Sequence, residues 1–142
     1  MRTVLVLLML ASGAFTTASA QARPYTPTRG SAERHAIMDA LRPPVSRAVG
    51  EPVVFTVVRI HVQNGWAFVQ AVPTLPRGEP LMDRYIERMN CESCTENVVG
   101  LLRWNGSRWN VVEIEIASSE YPYSWQERHR APRAIFPWNQ PR

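Results

Sequence analysis

The chain has 142 residues, of which 45% are hydrophobic and 20% are charged. Its length and composition predict a single globular domain and exclude a collagen-like, wholly disordered or multi-spanning membrane protein. The formal net charge of +4 comes from 16 basic residues, all of them arginine, against 12 acidic ones. The arginines are spread along the chain and alternate with acids, whereas a concentrated basic block marks nucleic-acid binding. The sequence therefore predicts no nucleic-acid partner.

The first 20 residues have the pattern of a secretory signal peptide. Arg2 supplies a positive charge, residues 4–11 form an apolar run, and residues 18–20 (Ala-Ser-Ala) form a cleavage site. The run is well short of the roughly 20 apolar residues that a membrane-spanning helix needs, which favours a cleaved signal over a membrane anchor. We expect cleavage between Ala20 and Gln21, a periplasmic or secreted product, and no membrane span in the mature chain.

Residues 21–30 are polar and rich in proline, and a flexible leader is expected there. A helix is predicted to begin after Ser31, whose hydroxyl can cap the first turn, and Ile37 and Leu41 form its apolar side. Pro43-Pro44 should end or kink this helix, because proline lacks the backbone N–H donor and clashes with the preceding turn. One further helical turn can follow the prolines.

The clearest structural signal is Asn64-Gly65 between two segments rich in β-branched and aromatic residues, which predicts a two-residue hairpin turn. The resulting register pairs Gln63 with Trp66 and, further from the turn, Val58 with Ala71. One face of this hairpin is then entirely apolar: Val58, Ile60, Val62, Ala67, Val69 and Ala71. The opposite face carries four candidate binding side chains: Arg59, His61, Trp66 and Phe68.

Residues 73–80 form a proline-rich loop, and residues 81–90 fit either a short helix or an irregular strand. A second hairpin is predicted over 98–116, with its turn at Asn105-Gly106. Its register stays open, because a bulge near the turn would exchange which of the two leucines before the turn lies inside. Because side chains alternate along the return strand, Val112 and Ile114 are expected to face the core, whereas Glu113 and Glu115 are expected to face water.

The tail, residues 118–142, is too rich in aromatic side chains for a free segment, so part of it should lie across the sheet. Ser124 and Glu127 have the spacing of a capping box, which favours one short helical turn after Ser124. The helix and the two hairpins together predict a core within a domain at 31–117. Its expected members are Ile37, Leu41, Val58, Ile60, Val62, Val69, Val112 and Ile114.

The order of these elements predicts an α+β fold, in which an N-terminal helix packs on a four-stranded antiparallel sheet made of two hairpins. With Trp-Ala-Phe-Val at 66–69 and Arg-Trp-Asn-Val-Val at 108–112, residues 31–117 resemble cystatin-like and NTF2-like domains, especially small exported bacterial proteins of that build. The single helix before the sheet favours the cystatin-like version. Residues 62–66 depart from the Gln-x-Val-x-Gly loop of eukaryotic cystatins, so the resemblance does not carry inhibition of papain-like proteases to this chain.

Cys91 and Cys94 are the only cysteines, and three interpretations compete. Export to an oxidising compartment favours a structural disulfide between them. Cys-x-x-Cys is also the spacing of thiol oxidoreductases, but this pair leads into a strand and encloses Glu92, whose charge opposes thiolate formation. A metal site needs about four ligands, and no histidine lies near the pair. The sequence therefore predicts a disulfide, with no metal and no cofactor.

No catalytic constellation is evident elsewhere in the sequence. The three histidines are scattered, no nucleophile elbow or phosphate-binding loop occurs, and Glu113 with Glu115 fits the wet face of a strand better than a paired acid site. His61 beside Arg59 is either a solvated strand histidine or part of an anion site. Three aromatic candidates are expected to cluster on the sheet face away from the helix, where they either form an exposed binding surface or lie beneath the tail: Trp66, Phe68 and Trp104.

The sequence thus predicts an exported, non-enzymatic domain that binds an unidentified protein or small-molecule partner through its sheet face or tail. The alternative is a thiol-redox protein or small enzyme that uses Cys91 and Cys94, or the strand face of Arg59 and His61.

Overall fold

The computed structural model of the protein describes residues 22–140, so the predicted signal peptide and its cleavage site lie outside the described chain. Within this range the chain forms three α-helices, four strands and two single 3-10 turns. They are α1 Ala32–Val49, β1 Val54–Gln63, β2 Trp66–Thr74, α2 Met82–Met89, β3 Val98–Trp104, β4 Trp109–Ile116, α3 Trp125–His129, and the turns Arg133–Ile135 and Pro137–Asn139. None of the described helices has the length and apolar character needed to cross a membrane.

The four strands form one antiparallel sheet in the order β1-β2-β3-β4, and α1 packs across one of its faces. This architecture confirms the predicted α+β arrangement of a helix on two hairpins. Asn64 and Gly65 have φ angles of 50° and 72°, as a two-residue turn requires if it is to match the right-handed twist of its strands. Next to the turn the predicted register is correct, since Gln63 faces Trp66.

Further from the turn, the predicted register of the first hairpin is wrong. A bulge in β1 makes Val58 an extra residue, so that Val57 rather than Val58 faces Ala71. Val58 turns outward and is 53% exposed, although strict alternation placed it in the core. Because a bulge reverses the side-chain parity beyond it, Phe55 and Val57 take the inward positions and pack against the core.

A second bulge lies in β4 and shows that the predicted inward position of Val112 is wrong. Leu101 faces Glu113 and Leu102 faces Val111, which leaves Val112 as the extra residue. Val112 packs against the tail instead of pointing toward α1 as predicted. The bulge also settles the open register of this hairpin, because Leu102 lies on the helix side of the sheet and Leu101 on the opposite side.

Helix α1 begins at the predicted cap, where Ser31 Oγ accepts a hydrogen bond from the Arg34 backbone N–H at 3.2 Å. It does not end at Pro43-Pro44 but continues through them as one 18-residue helix. Leu41 and Val45, on either side of the prolines, are fully buried against the sheet. Burial of both halves of the helix offsets the two backbone hydrogen bonds that the prolines cannot donate.

The sheet buries side chains on both of its faces. The helix-side core fills the space under α1 and α2, and its members include Ile37, Leu41, Ile60, Val62, Val69 and Leu102. The tail-side core lies on the other face, where the chain after β4 folds back over the strands; its buried members are Phe68, Val99, Leu101, Trp125, Ala131, Ile135 and Phe136.

Residues 82–89 form α2, so the segment that fitted either a helix or a strand is a helix. Asn90 ends it in the left-handed conformation, with a φ of 50°. Cys91 and Cys94 form a disulfide just beyond this end, which confirms the predicted bond.

Candidate functional site

The described part of the tail covers the sheet face on which a partner was expected to bind. Phe68 is fully buried, and its ring centroid lies 5.5 Å from that of Phe136 and 5.7 Å from that of Trp138. Trp66 is half-buried, and the Arg103 guanidinium lies 4.7 Å from its ring centroid. The tail thus occupies the position that a partner would need at Phe68, whereas Trp66 stays partly accessible.

His61 contacts the tail rather than an open site. Its Nδ1 lies 3.1 Å from the carbonyl oxygen of Ile135, which fits a neutral ring that carries its proton on Nδ1. Burial lowers the pKa of His61, and the nearby Arg59 charge lowers it further, while the Ile135 carbonyl opposes this shift. The ring therefore helps to attach residues 133–135 to β1.

The cysteine pair lies at the wrong end of a helix for thiol chemistry. Reactive thiolates are favoured at helix N-termini, where the dipole is positive. Cys91 instead follows the C-terminal end of α2, and its backbone N–H donates to the Ile86 carbonyl oxygen at 3.3 Å. The position of the disulfide favours a structural role over a redox role.

Replacing Cys91 and Cys94 together with serine should lower the free energy of unfolding by about 2 kcal/mol or less, because closing so short a loop restricts the unfolded chain little. The fold should survive, and the wild-type protein should contain no titratable thiol. Urea denaturation and a thiol assay check both expectations. Loss of a measurable activity with an unchanged melting curve would contradict the structural role.

Glu113 contacts the tail. Its carboxylate forms an ion pair with Arg128 and lies 3.0 Å from Nε2 of His129. Both partners belong to α3, so these contacts attach that helix to β4. No cluster of three or more His, Cys, Asp or Glu side chains within residues 22–140 is arranged to hold a metal ion.

An open groove of about 450 Å³ lies at the end of the sheet where the two hairpins turn. We call it the Tyr25 groove. One wall comes from the first turns of α1, and the rest comes from the leader and from residues at the two hairpin turns. The groove is lined by Tyr25, Ala32, Glu33, Ala36, Val62, Asn64, Gly65, Trp104 and Trp109.

Tyr25 is held in place by an isolated bridge between the leader and β1. Its backbone N–H donates to the Val62 carbonyl at 2.9 Å, and the Val62 N–H donates back at 2.7 Å. The Tyr25 hydroxyl donates to Glu33 Oε1 at 2.8 Å, which ties the leader to α1 as well. These contacts put one carboxylate beside an aromatic ring at the mouth of the groove.

Trp104 and Trp109 form the aromatic wall that faces the leader and α1. Their ring centroids are 5.7 Å apart. Trp109 is almost fully buried, whereas Trp104 is 39% exposed. Of the five candidate residues from the sequence, Trp104 alone lines this groove. It lies beside α1, so its predicted position on the sheet face away from the helix is wrong. The groove can hold a ligand that combines apolar surface with one positive or hydrogen-donating group.

The geometry of Tyr25 predicts a late-titrating phenol. Burial, and then the hydrogen bond and charge of Glu33, raise the pKa of Tyr25 from 10.0 to about 12. The contribution of the Tyr25–Glu33 contact to the free energy of unfolding is therefore fully present below pH 10 and is lost as the pH rises toward 12. Phenolate absorbance should show an ionisation step near pH 12, and Tyr25→Phe should remove that step. An absorbance titration in which Tyr25→Phe leaves the step near pH 12 unchanged would contradict the contact.

Comparison with known proteins gives no relative from which a role could be carried over. No family model, curated protein or solved structure matches this chain.

Proposed function

We propose that this chain is an exported, non-catalytic domain of cystatin-like or NTF2-like build that binds a small organic cation in the Tyr25 groove. The signal-peptide pattern and the Cys91–Cys94 disulfide support export to the periplasm or the medium. The observation that carries the binding proposal is the position of Glu33, the one carboxylate that lines an otherwise largely apolar, aromatic groove.

Aromatic rings and a carboxylate together recognise ammonium groups. The faces of tryptophan and tyrosine attract a cation through their quadrupoles, and Tyr25, Trp104 and Trp109 all line the groove beside Glu33. The Tyr25 hydroxyl occupies Oε1 of Glu33, which leaves the second carboxylate oxygen for a ligand. A volume of about 450 Å³ lies within the range of small-molecule pockets.

Local charge, rather than the charge of the whole chain, determines the sign of the ligand. The net charge of +4 favours anions at long range. An anionic ligand in this groove would, however, take water away from Glu33 and add a repelling charge, and a neutral ligand would take water away without supplying a compensating charge, which is costly for a carboxylate. A cation compensates that loss, so alkylammonium compounds are the class that fits.

Tryptophan fluorescence titration with butyltrimethylammonium tests this proposal, with butanol and butanoate as neutral and anionic counterparts. Glu33→Gln should weaken ammonium binding about tenfold or more, because it removes a charge contact. Trp104→Ala should weaken binding about fivefold through loss of a cation–π contact. Glu87→Gln, which removes an exposed acid on α2, is the matched control and should leave the affinity unchanged.

Two results would overturn the proposal. One is butanoate binding as tightly as butyltrimethylammonium, and the other is an equal affinity of Glu33→Gln and the wild-type protein for the ammonium compound. Saturable ammonium binding that both groove variants weaken, and that Glu87→Gln leaves unchanged, supports the proposal.

A further inference from the structure

We propose that a second cleft, on the tail side of the first hairpin turn, binds a phosphate group. This arginine cleft has a volume of about 590 Å³ and is lined by Arg103, Arg130 and Arg133 together with Gln63, Asn64, Trp66 and residues 131, 132 and 134. The three arginines come from β3, from the end of α3 and from the first 3-10 turn. No carboxylate is among the lining residues.

Within residues 22–140, the three guanidinium groups have no acidic partner. Among residues 22–140, the arginines in ion pairs are Arg42 with Asp39 and Arg128 with Glu113, and neither of these arginines lines the cleft. Three positive charges around one cavity repel one another unless an anion lies between them. Guanidinium groups bind phosphate through pairs of parallel N–H···O hydrogen bonds, which makes arginine well suited to such a site.

Arg103 is oriented before any ligand arrives. Its Nη1 donates to the Asn64 carbonyl oxygen at 2.9 Å, and its guanidinium lies over the Trp66 ring at 4.7 Å. Only one of its five N–H donors is used by that hydrogen bond. Because the side chain is already held in place, a ligand loses less conformational freedom of the protein on binding.

The tail fixes the backbone that carries the other two arginines. Arg130 caps α3 in the left-handed conformation with a φ of 53°, and its backbone N–H donates to the Glu127 carbonyl oxygen at 3.3 Å. Ala131 and Ile135, which flank this stretch, are buried in the tail-side core. A doubly charged phosphate monoester matches three arginines better than a singly charged carboxylate does.

The cleft is independent of the Tyr25 groove. The groove opens on the helix side of the sheet and the cleft on the tail side, and the only lining residue they share is Asn64. Their ligands also carry opposite charge. The phosphate proposal therefore stands or falls separately from the ammonium proposal.

Isothermal titration with inorganic phosphate at fixed ionic strength tests the cleft. The triple variant R103Q/R130Q/R133Q should bind phosphate about tenfold more weakly or worse, because it loses several charge-assisted hydrogen bonds. The control R47Q/R77Q/R84Q removes three exposed arginines elsewhere, changes the net charge equally, and should stay within about twofold of the wild-type affinity. Circular dichroism establishes that both variants are folded.

An equal loss of phosphate affinity in the two triple variants would overturn the proposal, as would the absence of saturable phosphate binding by the wild-type protein. Two further probes identify the source of the phosphate group. Glycerol 1-phosphate binding that depends on the cleft arginines indicates a soluble phosphomonoester. Cosedimentation with phosphatidic acid vesicles, but not with phosphatidylcholine vesicles, indicates a lipid headgroup if the triple variant R103Q/R130Q/R133Q no longer cosediments. Glu33→Gln should retain phosphate binding, so a failure of the ammonium proposal at the Tyr25 groove can be distinguished from a failure of the phosphate proposal at the arginine cleft.

Discussion

Phe136→Ala should lower the free energy of unfolding by about 3–5 kcal/mol, the largest loss that we expect from one side chain. Phe136 is fully buried, and its ring stacks on Trp138 with centroids 4.8 Å apart while also contacting Phe68. Truncation removes both contacts and opens a cavity between the tail and the sheet. Urea denaturation measures the loss, and hydrogen exchange should show weaker protection along the tail.

Tyr123→Ala is the matched control for this substitution. Tyr123 also contacts Trp138, with ring centroids 5.0 Å apart, but it is 60% exposed. Its removal should cost less than about 1 kcal/mol, as is usual for surface positions. If the two variants unfolded at the same denaturant concentration, the tail would not form a second core on this face of the sheet.

Ile60→Ala should destabilise the protein by about 2–5 kcal/mol, whereas Val58→Ala should change its stability by no more than about 0.5 kcal/mol. The two residues lie on one strand, two positions apart, and a regular strand would bury both. The bulge between Val57 and Arg59 instead leaves Ile60 buried and Val58 exposed. Thermal and urea denaturation of the two variants therefore test the bulge directly.

His61→Ala, on the same strand, should lower the stability by an amount between those expected for Val58→Ala and Ile60→Ala. It removes the contact with the Ile135 carbonyl but leaves no large cavity, and the expected loss is under about 1 kcal/mol.

A loss of stability in Val58→Ala as large as that in Ile60→Ala would mean that β1 is regular and that its faces are assigned wrongly.

The sequence predicted those parts of the fold that depend on short-range chemistry. Asn64-Gly65 specified its own turn, because few residues tolerate two successive positive φ angles, and Ser31 acted as the expected cap. The errors have non-local causes. The parity of Val58 and Val112 depends on bulges that packing against other elements decides, and the passage of α1 through Pro43-Pro44 depends on burial of both its halves.

The candidate site was predictable only in part, for the same reason. Trp104 was named as one of three aromatic residues on the sheet face away from the helix, but it lines the groove beside α1 instead. Tyr25 and Glu33 could not, because their contact needs the leader to pair with Val62, 37 positions along the chain, in a segment whose prolines indicated flexibility. The tyrosine within that proline-rich stretch was the one available signal. The arginine cleft likewise joins residues from three distant elements.

The two bulges have a consequence for assembly. Each lies in an edge strand of the sheet, at Val58 in β1 and Val112 in β4. A regular edge offers a continuous row of free N–H and C=O groups onto which another chain can add, and this is how sheet proteins polymerise. A bulge interrupts that row and twists it away from a flat partner. Deleting Val58 or Val112 would straighten one edge, so the shortened chains should aggregate at concentrations at which the wild-type protein does not.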